Sequence, residues 1–60
     1  MTISQLSTND LFKFYEKGTV YKFVKVEDPK AEIVYYQYIQ VVNSQFNRQL
    51  HSSQTQVILV

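Results

Sequence analysis

Sixty residues with six basic and five acidic side chains, a net charge of +1, no cysteine and a single histidine set the first limits. A chain this short buries only about 60% of the surface it exposes when unfolded, so it has room for one domain and one small core. Without cysteine no disulfide can brace it, His51 alone cannot build a tetrahedral zinc site, and the weak charge supplies none of the field that a dedicated nucleic-acid domain uses.

Five tyrosines and four phenylalanines are the substitute for such braces. Each aromatic ring buries roughly 150 to 250 Å², and edge-to-face pairs add about 0.5 to 1.5 kcal/mol. In residues 6–14, LSTNDLFKF, Asn9 and Asp10 tolerate left-handed backbone and form side-chain turns, so they reverse the chain ahead of a first strand over residues 11–15. Phe12 and Phe14 share one face of that strand, with Leu6 packing back beneath them. The competing pattern, a helix capped by Ser7 or Thr8 and running to Lys17, is set aside because the segment is short and rich in aromatic residues.

Gly18, the only glycine, marks the first loop, where positive φ costs least. The second strand, residues 19–26, is TVYKFVKV: one face carries Val20, Lys22, Val24 and Val26, the other Tyr21, Phe23 and Lys25. Apolar residues on both faces predict a bulge near Phe23 and Val24 that lets both halves serve one core. Asp28-Pro29 makes the clearest turn. The third strand, residues 33–42, is the longest and has two possible phases, Ile33, Tyr35, Gln37, Ile39 and Val41 against Val34, Tyr36, Tyr38, Gln40 and Val42. A turn at residues 43–45 leads into a weaker fourth strand over residues 46–51. Residues 52–55, SSQT, suit a single 3₁₀ turn, and the last strand occupies residues 57–60.

The fold expected is all-β: one domain over residues 1–60, a five-stranded SH3-like small barrel with a 3₁₀ turn before its last strand. Its core should include Leu6, Phe12, Phe14, Tyr21, Val24, Val26, Val34, Ile58 and Val60. The succession LSTNDLFKF, GTVYKFVKV, IVYY and a final VILV resembles short bacterial and phage proteins with SH3-like barrels. Those open on a leucine, a Gly-Asp or Asn-Asp turn and an aromatic-x-aromatic strand. This chain departs from them at Asn9, where glycine is common, and in its glutamine-rich second half. The resemblance implies the fold and transfers no functional residue.

No residues spell out a reaction. His51 is flanked by Ser52 and Ser53, but a serine adjacent in sequence to its histidine rarely has the geometry to be deprotonated by it. Asp10, Glu27 and Asp28 lie in or beside turns, where carboxylates accept backbone N–H groups. One glycine cannot form a phosphate-cradling loop. The chain therefore reads as no enzyme, with no cofactor and no metal.

The constellation that remains is aromatic and basic: Tyr36 and Tyr38 of the third strand, Tyr15 of the first loop, Phe46, and Arg48, whose planar guanidinium stacks and forks where lysine cannot. Together they suit a small binding module, an accessory or regulatory factor that contacts another protein. With Lys22 and Lys25 added, the same groups suit single-stranded nucleic acid. A third reading makes the chain a structural homodimer through its terminal edge strand, so that it is a monomer or a weak homodimer. The weak net charge favours protein over nucleic acid. No apolar run approaches the about 20 residues of a membrane span, no leader pattern opens the chain, and the lack of cysteine suits a reducing compartment, so no membrane partner and a cytoplasmic location are expected.

Overall fold

A computed structural model describes residues 1–60. Five strands, β1 (Leu11–Lys13), β2 (Tyr21–Val26), β3 (Ile33–Gln40), β4 (Gln45–Ser52) and β5 (Ile58–Leu59), follow one 3₁₀ turn at Ile3–Gln5. They form a single antiparallel sheet in the order β4-β3-β2-β1-β5. β4 and β5 end the sheet as edges, and it does not close into a barrel.

The 3₁₀ turn precedes the first strand, whereas the sequence pointed to residues 52–55. There Thr55 N–H donates to the Ser52 carbonyl at 3.0 Å and Gln54 N–H to Ser52 Oγ at 3.2 Å. The serine side chain takes the preceding donor, Gln54 N–H, and the segment stops at a simple turn. At Ile3–Gln5 the Gln5 side chain reaches back to accept the Thr2 N–H at 2.8 Å, while Gln5 N–H and Leu6 N–H donate to the carbonyls of Thr2 and Ile3.

Asn9 takes the left-handed conformation expected of it, with φ 77°. The turn it makes is held from both sides: Ser7 N–H donates to Asp10 Oδ2 at 2.8 Å, and Asp10 N–H to the Ser7 carbonyl. The same turn docks on β2, where Asn9 N–H donates to the Phe23 carbonyl, Phe23 N–H to the Asp10 carbonyl and Thr8 Oγ1 to the Val24 carbonyl. Gly18 has no positive φ. Its value lies in space, because a Cβ there would come within 3.1 Å of the Tyr15 carbonyl, which accepts the Gly18 N–H.

The bulge anticipated in the second strand falls at the register shift between Phe23 and Lys25. Val24 is the extra residue, and it changes the phase. Phe23 opposes Tyr38 on the core side before it, Val26 opposes Tyr36 on the core side after it, and Lys22 and Lys25 both point outward, opposite Ile39 and Gln37.

The phase of β3 is set by its even-numbered residues: Val34, Tyr36 and Tyr38 are buried. They join Ile3, Leu6, Phe12, Phe23 and Val57 in the core, with Phe14, Tyr21, Val26 and Ala31 packed against it. The rings meet edge to face, Phe12 with Phe14 at 5.4 Å and with Tyr38 at 5.6 Å, and Tyr21 with Tyr38 at 4.9 Å.

Three of the expected core residues lie outside that cluster. Val24 is the bulged residue and is half-buried. Val60 is exposed and Ile58 half-buried because β5 pairs with β1 as Phe12 with Leu59 and Lys13 with Ile58. That register turns Ile58 and Val60 to the side of Lys13 and Leu11, and Val57 takes the core position instead.

Candidate binding face on the outer side of the sheet

Opposed residues in an antiparallel pair point to the same side, so the register assigns the outer face directly. Lys22 and Lys25 of β2 lie beside Ile39 and Gln37 of β3, and β3 sets Tyr35 against Leu50, Gln37 against Arg48 and Ile39 against Phe46 of β4. Ile33 (62%), Phe46 (54%) and Leu50 (55%) are largely exposed there, and Tyr35 is partly covered. Val41 and Val42, in the turn between β3 and β4, are exposed as well.

Arg48 organises the middle of this face. Its guanidinium carbon sits 3.7 Å from the centre of the Tyr35 ring. Its Nε donates to Glu27 Oε2 at 2.6 Å and its Nη2 to Glu27 Oε1 at 2.9 Å, a forked pair that the geometry of lysine could not make. Gln37 Nε2 donates to the same Glu27 Oε2 at 2.9 Å. The Arg48 hydrogen bonds, followed by that of Gln37, hold the Glu27 carboxyl down at about 2. Glu27 in turn pushes Arg48 upward. The charge of Arg48 is matched within the protein, which leaves Lys22 and Lys25 as the uncompensated cations of the face.

A shallow depression of about 280 Å³ opens where this face meets the β2–β3 loop. Ile33, Tyr35 and Leu50 supply apolar lining, Ala31 and Val34 close it toward the core, and Glu27 and Asp28 bring carboxylates to it. Asp28 adopts φ 53° directly before Pro29, and its carbonyl accepts the Ala31 N–H at 3.1 Å.

Of the residues singled out in the sequence, Phe46, Arg48, Lys22 and Lys25 come together on the outer face. Tyr36 and Tyr38 do not join them. They are 1% and 2% exposed, because the even phase of β3 fills the core. Tyr15 is exposed on the loop after β1, next to Phe14, which packs on the core-side rings of Phe12, Tyr38 and His51. Tyr35, Ile33, Leu50 and Glu27 belong to the face and were not singled out. No local signal sets Tyr35 apart, because each phase of the third strand carries one glutamine, Gln37 or Gln40, among apolar and aromatic residues.

His51 stacks on Phe14, with ring centres 5.2 Å apart, and its Nε2 shares a 3.0 Å hydrogen bond with the Tyr38 hydroxyl. Burial lowers the His51 pKa and pushes the Tyr38 hydroxyl up to about 12. Both shifts favour neutral forms, in which the hydroxyl can donate to an unprotonated imidazole nitrogen. The pair belongs to the packing of the core side. No three histidine, aspartate or glutamate side chains gather into a cation site, and no helix is long and apolar enough to cross a membrane. Comparison with protein-family models, curated proteins and solved structures gives no match to this chain.

Proposed function

We propose that the chain is a small non-catalytic binding module of SH3-like architecture, an accessory or regulatory factor that holds another protein on the outer side of β2, β3 and β4. The observation that carries this reading is the exposure of Ile33, Tyr35, Phe46 and Leu50 on one side of the sheet, around an arginine already fixed by its own carboxylate. Apolar anchors around a preorganised arginine suit a protein interface, where aromatic and arginine side chains concentrate binding energy. The strand order and the bulged second strand support the SH3-like part of the proposal. The non-catalytic part rests on the depression, where the Glu27 carboxylate is engaged by Arg48 and Gln37 and most of the lining is apolar.

Single-stranded nucleic acid is the second reading, from Lys22, Lys25, Tyr35 and Phe46. Arg48 weighs against it: the guanidinium covers one face of Tyr35 and is neutralised by Glu27, so neither the best stacking surface nor the best phosphate donor is free. The two readings separate by salt. A protein partner recovered by pull-down should persist at moderate salt and be lost with Leu50→Asp in protein that keeps its fold. Oligonucleotide affinity that falls steeply with salt and disappears in a Lys22→Glu, Lys25→Glu double variant would replace the protein reading with the nucleic-acid one.

A further inference from the structure

We propose that β4 pairs antiparallel with the β4 of a second copy of this chain, in a register that places Arg48 opposite Arg48 and joins two sheets into one of ten strands. The starting point is the hydrogen bonding of β4. Its partner β3 takes every one of its eight residues in register, from Ile33 opposite Ser52 to Gln40 opposite Gln45. Ser53 N–H donates to the Glu32 carbonyl, and Glu27 N–H to the carbonyl of Tyr35 on the other side of β3. Antiparallel ladders alternate between bonded and non-bonded pairs, so the odd-numbered residues of β4 turn their backbone toward β3. Phe46, Arg48, Leu50 and Ser52 therefore direct N–H and C=O groups at the open edge.

Nothing guards that edge. β4 contains no proline and no lysine, and its single charge is the Arg48 guanidinium, which Glu27 neutralises. The opposite edge differs. β5 has two residues, and the chain leading into it is covered by the N-terminus through Val57 N–H to the Met1 carbonyl, Ile3 N–H to the Thr55 carbonyl and the bridge between Thr2 and Gln56. An added strand finds a full ladder only at β4.

The sequence of β4 selects a second copy as the occupant. A two-fold axis normal to the sheet keeps outer faces together, which restricts the register to steps of two. With Arg48 on the axis, Phe46 lies opposite Leu50 twice on the outer side. On the inner side Asn47 lies opposite Gln49, and Gln45 opposite His51. Shifting by one step sets Phe46 against Ser52, or against Arg48 with Leu50 against Ser44, and loses the apolar pairs in either direction. The two arginines at the centre each carry their own Glu27 partner, so the like charges are compensated within each subunit. Such a dimer would run the two outer faces together across Phe46 and Leu50.

Sedimentation of the full chain over a concentration series tests this. The native protein should show a reversible dimer. Leu50→Pro should abolish it while keeping the monomer fold, because the N–H it removes points to the open edge. Phe46→Glu and Leu50→Lys should each shift the equilibrium to monomer, and the double variant should recover the dimer, since only this register brings positions 46 and 50 of different copies together. A native protein that remains monomeric at the highest soluble concentration overturns the proposal. So does a dimer that survives both single charged variants, or a double variant that stays monomeric while folded.

Discussion

Glu27 holds more of the outer face than any other single side chain, since it accepts from both Arg48 and Gln37 and so links the end of β2 to β3 and β4. Its carboxyl titrates at about 2 in the folded chain, against an ordinary 4.5, chiefly through the Arg48 hydrogen bonds. The unfolded chain therefore takes up this proton first. The stability the pair contributes is complete above about pH 4.5 and is lost as the pH falls toward 2. Acid melts of the native protein and of Glu27→Gln should converge over that window, and parallel curves would mean that the forked pair contributes nothing to folding. His51 acts in a separate window. Burial sets its folded pKa below the ordinary 6.5, so the unfolded state binds the extra proton and stability declines as the pH falls below about 6.5. The melting temperature should drop between pH 7 and pH 5 in the native protein and drop less in His51→Gln. An equal slope in the two proteins would show that imidazole protonation is not coupled to folding.

At the scale of single elements, the turn at residues 7–10 and the bulge of β2 form one device. The bulge leaves the Val24 carbonyl outside the regular ladder, and Thr8 Oγ1 donates to it at 3.0 Å, while Asn9 and Asp10 bond to Phe23 on either side. The left-handed φ of Asn9 makes this docking possible. Asn9→Val puts a β-branched side chain into that conformation and should destabilise the protein by roughly 1 to 2 kcal/mol, whereas Asn9→Gly should be close to neutral. Equal urea midpoints for the two variants would remove the left-handed turn from the account. This device could be read in the sequence, because Asn-Asp ahead of an aromatic strand and a strand apolar on both faces each have a local cause. The phase of β3 could not be read in the same way. Val34, Tyr36 and Tyr38 are no more apolar than Ile33, Tyr35 and Ile39, and the choice was made by distant partners: Phe23 across the bulge, Phe12 on β1 and His51 on β4. Phe46, Arg48, Lys22 and Lys25 were found as candidates because aromatic and basic residues on a half-exposed strand stand out locally. Tyr36 and Tyr38 were misplaced because their burial depends on that phase.

Across the whole molecule, the core is closed by a segment with no periodic pattern. The N-terminal residues cross to the end of the chain, pair Thr2 with Gln56, and insert Ile3, completely buried, beneath the sheet beside Leu6 and Val57. An open five-stranded sheet this small has few large side chains to spare, and Ile3, Phe12 and Tyr36 are the largest that are fully buried. Domains have about 0.05 to 0.15 kcal/mol of stability per residue, which for this length is roughly 3 to 9 kcal/mol. Removing a buried isoleucine down to alanine costs roughly 2 to 5 kcal/mol. Ile3→Ala should therefore consume a large share of the total, and its urea midpoint should fall far below that of the native protein with an unchanged m-value. Ser4→Ala, at an exposed position of the same 3₁₀ turn, is the control and should leave the midpoint nearly in place. If Ile3→Ala behaves like Ser4→Ala, the N-terminal turn frays independently and the core is closed by the strands alone. If its midpoint falls as expected, the two ends of the chain belong to one cooperative unit, held together by the Thr2–Gln56 bridge and by a side chain that the local pattern gave no reason to place in the interior.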